Sequence, residues 1–132
     1  MSNSAVVLNS SFESFNLASP ILKNIEALGY TQATPVQAQV IPAAMAGGDW
    51  LVSSQTGSGK TAAFLLPLLN QLFIANPHGS PVPGRAQPKV LVLCPTRELA
   101  QQVTADAINL ARGIKGLRIA TIMGGMPYGK QI

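Results

Sequence analysis

The sequence predicts an α/β fold: a parallel sheet flanked by helices, built around a phosphate-binding loop. Three observations carry that expectation. The first is a glycine-rich stretch, Ser54-Gln55-Thr56-Gly57-Ser58-Gly59-Lys60-Thr61, set between the apolar run 49–53 and an apolar segment from Ala62 to Leu69. A strand, a glycine loop ending in Lys-Thr and a helix form the standard order of such a loop. The second is a continuous apolar run, Lys89 to Cys94, expected as a buried parallel strand. The third is the order of segments after the loop, strand, helix, strand, helix, strand, which implies right-handed crossovers.

The elements follow in chain order. Residues 1–10 are small and polar apart from Val6-Val7-Leu8, and are expected to be a flexible leader. A first helix is expected from about Pro20 to Leu28. Ile21, Leu22, Ile25 and Leu28 recur at helical spacing, Ser19 serves as N-cap and Gly29 as C-cap. Thr34-Pro35-Val36-Gln37 begins a second helix that runs to about Ala46 and stops at Gly47-Gly48. The helix after the phosphate loop contains Pro67, which is expected to kink it or shift its pairing. The Pro- and Gly-rich stretch 76–88 reads as a loop. A further helix is expected from about Arg97 to Arg112, with Leu99, Val103, Ala107 and Leu110 on one side. The stretch 117–123 is the third strand.

Composition narrows the function. The chain has 132 residues, enough for one domain or part of one, and its 47% apolar content suits a globular α/β protein. Aromatics are few, so Leu, Ile, Val and Ala must make the core. A net charge of +4 suits a polyanionic partner. The single Cys94 excludes an internal disulfide and, lying in an apolar run, is expected to be a buried, inert thiol. No secretory signal opens the chain and no apolar run is long enough to span a membrane, so the expected location is cytoplasmic.

The loop chemistry is specific. Glycines let backbone N–H groups turn toward a phosphate, and the following helix adds its positive N-terminal end. Lys60 is suited to the outer phosphates and the Thr61 hydroxyl to Mg²⁺. The strict pattern places glycine six residues before the lysine; here that residue is Ser54, still small enough for the turn. A nucleotide hydrolase also needs an acidic residue at the end of an apolar strand to hold Mg²⁺ and position water. Glu13, Glu26, Asp49, Glu98 and Asp106 do not fill that place. The chain is therefore expected to be an incomplete domain, with the binding half of the machinery and without the hydrolytic half. An incomplete sheet exposes apolar edges, so marginal stability or self-association is also expected.

Three further segments complete a pattern. Phe12 lies seventeen residues before Gly29-Tyr30, which leads to Thr34-Pro35-Val36-Gln37; Pro95-Thr96-Arg97-Glu98-Leu99-Ala100 follows the second strand; Gly124-Gly125 follows the third. With the phosphate loop, and in this order, they resemble the DEAD-box family of ATP-dependent RNA helicases. The resemblance covers about residues 11–132 and corresponds to the front of the first RecA-like domain. The Asp-Glu-Ala-Asp and Ser-Ala-Thr motifs and the second RecA-like domain do not occur in these residues. The division it implies is a leader (1–10), an adenine-recognition or Q-motif segment (11–38) and a partial RecA-like ATP-binding domain (39–132).

The resemblance implies ATP and Mg²⁺ as cofactors and RNA as partner. Gln37 resembles the glutamine that reads the adenine edge, Phe12 the upstream aromatic that packs on the base, and Gln32 the residue lending backbone contacts to it. Ser54, Gln55, Thr56, Gly57, Ser58, Gly59, Lys60 and Thr61 resemble motif I, with Lys60 as the catalytic residue on the β- and γ-phosphates and Thr61 on the metal. Pro95, Thr96 and Arg97 resemble motif Ia, and Gly124 and Gly125 the Gly-Gly element, all at the RNA sugar-phosphate backbone.

Structural roles stand beside these. Gln37, three residues after Thr34, also completes a capping box. Phe12 is equally a core aromatic, and Gly124-Gly125 a turn. Arg97 at a helix N-terminus opposes the helix dipole, which a bound phosphate would relieve. Three functions remain open: the nucleotide-binding front of an RNA helicase, a non-catalytic nucleotide- and RNA-binding fragment, or another phosphate-loop protein. The last leaves Phe12, Gln37 and Pro95-Thr96-Arg97 without a role.

Overall fold

The computed structural model describes residues 11–53, 59–77, 79 and 88–122. A short 3₁₀ helix, η1 (Phe12–Phe15), precedes four α-helices: α1 (Ser19–Ala27), α2 (Pro35–Met45), α3 (Lys60–Ala75) and α4 (Arg97–Leu110). The helices pack α2 on α3, α3 on α4, and α1 across both α3 and α4. Their shared core holds Phe12, Phe15 and Leu17 from the entry segment, Ile21 and Ile25 of α1, Ile41 of α2, Leu65, Leu66 and Leu69 of α3, and Val103, Ala107 and Leu110 of α4.

Local chemistry sets most of the helix ends. Helix α2 opens with Thr34 as N-cap and Pro35 in its first turn, with a complete capping box. Helix α1 closes in a Schellman turn: Gly29 has φ +81°, its N–H donates to the Glu26 carbonyl, and the Tyr30 N–H donates to that of Ile25. Pro67 removes the donor that would reach the Ala63 carbonyl, yet α3 runs unbroken through it, with the ring fully buried. Helix α4 ends at Leu110, two residues before the expected Arg112, and Leu99 stays exposed while Val103, Ala107 and Leu110 are buried.

The start of α1 corrects the expectation for Ser19. Ala18 is the N-cap and Ser19 lies inside the first turn. Alanine has no side chain to cap with. The Ala18 backbone N–H donates to Oδ1 of Asn70, 2.8 Å away on α3, whose side chain is buried. A tertiary bond thus anchors the helix start where no side chain caps it.

The three apolar runs differ most from expectation. Among the described residues no regular β-ladder forms, and residues 49–53, 88–94 and 117–122 have no regular secondary structure. The run expected to be a buried strand is open: Val90 and Val92 are each 38% exposed, Leu91 80% and Leu93 84%. The alternation has the two-residue period of an extended chain with one side better covered. A parallel strand is buried only when neighbours hydrogen-bond its edges and helices cover both faces. Here the run lies at the margin of the helical core, touching it through the half-buried Cys94. Leu51 is fully exposed, and Trp50 turns its indole N–H to the Gly47 carbonyl at 3.0 Å.

Open leucines such as Leu51, Leu91 and Leu93 should associate between copies. The 132-residue chain is expected to elute earlier from a sizing column as its concentration rises, and Leu91→Lys with Leu93→Lys is expected to suppress the shift. A concentration-independent monomer would contradict this.

Candidate nucleotide site

The site is built where the start of α2 meets the start of α3. Gln37 is buried, and its amide is used at both ends. Oε1 accepts from the Thr34 N–H at 3.0 Å, and Nε2 donates to the Gly59 carbonyl at 3.2 Å. In return the Gln37 N–H donates to Thr34 Oγ1 at 3.3 Å. The capping box of α2 is thereby tied to Gly59, the last glycine of the glycine-rich stretch.

Gly59 is the N-cap of α3 with φ +88°, in the left-handed region. Its carbonyl also accepts the first helical bond, from the Ala63 N–H at 3.1 Å. A Cβ there would lie 3.0 Å from Thr34 Oγ1 and collide with Nε2 of Gln37. Lys60 and Thr61 form the first turn of α3, Lys60 exposed and Thr61 half-buried. The backbone N–H groups of that turn have no helical acceptor, and the helix dipole makes them a positive terminus. Ser54, Gln55, Thr56, Gly57 and Ser58 lie outside the described residues.

The aromatic side of the site has an unexpected order. Phe12 is buried, edge-on to Phe15 at 5.9 Å, and its other neighbour is Tyr30, stacked at 6.4 Å with 25° between the rings. Tyr30 is 42% exposed. The open ring is therefore Tyr30, with Phe12 as its buried support. Sequence reasoning assigned no role to Tyr30. The signal was its place directly after Gly29, where the Schellman turn sets it four residues before the Thr34 cap. Gln32 is exposed on the connection between Tyr30 and Thr34.

Pro95, Thr96 and Arg97 lie together and exposed at the start of α4. Thr96 is the N-cap: its Oγ1 accepts from the Leu99 N–H at 3.1 Å. One lone pair of its hydroxyl is thus used structurally, and Arg97 is the cation of this turn. Gly124 and Gly125 lie outside the described residues. No helix among the described residues is long and apolar enough to cross a membrane, and no group of three or more His, Cys, Asp or Glu there could hold a metal ion.

A family model for the DEAD/DEAH box helicases matches residues 34–132. The chain belongs to that family. It is 50% identical over 119 residues to the ATP-dependent RNA helicase SrmB of Haemophilus influenzae, covering 90% of this chain and 26% of that protein. It is 46% identical over 121 residues to DbpA of Escherichia coli, covering 91% of this chain and 24% of that protein. The chain thus spans about a quarter of the length of these relatives. Among solved structures, the RNA helicase Prp28 of Chaetomium thermophilum bound to ADP superposes with a TM-score of 0.78 at 34% identity, covering 99% of this chain and 30% of that one. A DEAD-box protein of Methanococcus jannaschii gives 0.77 at 35% identity, over 92% and 31%. The fold is that of the RecA-like domain of DEAD-box helicases.

Proposed function

We propose that these residues form the ATP-binding and RNA-backbone-binding front of an ATP-dependent DEAD-box RNA helicase, with the parallel sheet of a RecA-like domain completed in the intact protein. One observation carries the reading: the buried Gln37 amide joins the α2 cap to the Gly59 carbonyl, so the adenine-reading candidate and the phosphate loop are one hydrogen-bonded unit. A primary amide has two N–H donors and two acceptor lone pairs. The two side-chain bonds use one of each. One N–H and one lone pair remain, the pair that matches adenine's N7 and N6–H₂. Capping and adenine reading therefore do not compete.

The residues present suit a nucleoside di- or triphosphate. The left-handed glycine and the helix start supply N–H groups for phosphate, Lys60 a cation for the outer phosphates, and the Tyr30 ring an apolar surface for the base. The Thr61 hydroxyl would hold Mg²⁺, whose other ligands would be phosphate oxygens and water. Bound metal supplies charge neutralisation to phosphoryl transfer. Arg97, with Pro95 and Thr96, would contact the RNA sugar-phosphate backbone, which confers little sequence preference. Within these 132 residues no acidic side chain follows an apolar strand, so the chain alone is expected to bind without turnover.

The test is calorimetric titration of the chain with ADP and Mg²⁺, beside Lys60→Ala. Loss of a charge-assisted phosphate contact should weaken binding about ten- to a hundredfold. Equal affinity of both chains would remove Lys60 from the site and sink the reading.

A further inference from the structure

Helix α4 is held unevenly. Its C-terminal half is buried through Val103, Ala107 and Leu110, whereas Pro95 to Leu99 at the other end are exposed. Its direction is therefore set at the end remote from Arg97. That end has no basic residue in its last turn and closes on Ala111. Its last carbonyl and one just beyond the cap are satisfied from another helix. Nδ2 of Asn24, on α1, donates to the Leu110 and Arg112 carbonyls, 2.7 Å each. Helix α1 is in turn fixed to α3 by the bond from the Ala18 N–H to Asn70 Oδ1. Midway, Thr104 Oγ1 meets Thr121 Oγ1 at 2.6 Å.

We infer that Asn24 is a positioning residue for the RNA-backbone contact: it clamps the tail of α4 and so fixes where Arg97 stands at the head. The inference rests on the reading of Arg97 given above. The leverage is geometric. Fourteen residues of helix span about 20 Å, so a tilt of about 5° about the buried half moves the first turn by about 1–2 Å, enough to spoil a phosphate contact. The core contacts of Val103, Ala107 and Leu110 are apolar and tolerate small tilts better than two short hydrogen bonds to one amide do.

The test measures binding of a fluorescent single-stranded RNA 10-mer and of ADP to the 132-residue chain and to four variants, each checked for folding by circular dichroism. Arg97→Ala reports on the underlying reading; if it leaves RNA binding unchanged, that reading fails and the inference falls with it. If Arg97→Ala weakens RNA binding, Asn24→Ala is expected to weaken it about three- to tenfold with ADP affinity within twofold. Asn24→Asp, which keeps the size but turns an oxygen toward two carbonyls, is expected to weaken it at least as much. Asn24→Gln, which keeps both N–H donors on a longer arm, is expected to recover part of the loss. Parallel loss of RNA and ADP affinity in step with lowered stability, or no recovery in Asn24→Gln, would make Asn24 merely structural and overturn the inference.

Discussion

Gly59→Ala is expected to unfold the nucleotide site and to abolish ADP binding. Two costs add. An L-residue at φ +88° is strained by about 1–2 kcal/mol. The new Cβ collides with the Gln37 amide and presses on Thr34 Oγ1 at 3.0 Å, an overpacking cost of about 1–3 kcal/mol. The amide is flexible and will move, but moving it breaks the bond to the Gly59 carbonyl and disturbs the capping box. A loss of about 2–5 kcal/mol is a large part of the stability of a small domain. Urea unfolding of the variant measures it. An unchanged midpoint with retained ADP binding would show that the Gln37–Gly59 contact positions nothing.

Substitutions at Gln37 separate its structural and recognition roles. Gln37→Ala removes both side-chain bonds, from a buried position, and is expected to destabilise the chain by about 1–3 kcal/mol. Gln37→Glu keeps an acceptor for the Thr34 N–H, and the helix N-terminus favours its charge. It loses the donor, however, and sets an oxygen against the Gly59 carbonyl. Its melting temperature should therefore lie above that of Gln37→Ala. Both variants should lose the preference for ADP over GDP, because a carboxylate offers adenine no paired donor and acceptor. A glutamate variant that still prefers ADP would assign base recognition elsewhere, with Tyr30 the first candidate.

The helices were legible because their signals are local. Thr34, Pro35 and Gln37 mark the start of α2 within four residues, Gly29 and Gly47 mark two ends, and Thr96 marks the start of α4. The clearest misses depended on distant partners. Ala18 carries no capping signal because its partner, Asn70, lies 52 residues away. Asn24 reads as an ordinary helix residue, since the carbonyls it holds are 86 and 88 residues distant. The continuous apolar run 89–94 carries the signal of a buried strand, yet Leu91 and Leu93 are exposed: burial depends on what packs against a strand. Phe12 and Tyr30 were each visible as aromatics. Which ring faces outward is decided by η1 tucking Phe12 into the core, a tertiary outcome. Of the residues expected to form a phosphate loop, Gly59 to Thr61 lie at the start of α3, and 54–58 lie outside the described residues.

The measurement that bears most directly on the account is the ratio of ADP to GDP affinity of the unsubstituted chain in Mg²⁺, set beside that of Gln37→Ala. The account predicts a clear preference for ADP that collapses to near unity in the variant. Equal binding of the two nucleotides by the unsubstituted chain would return Gln37 to capping alone and contradict an adenine-reading site.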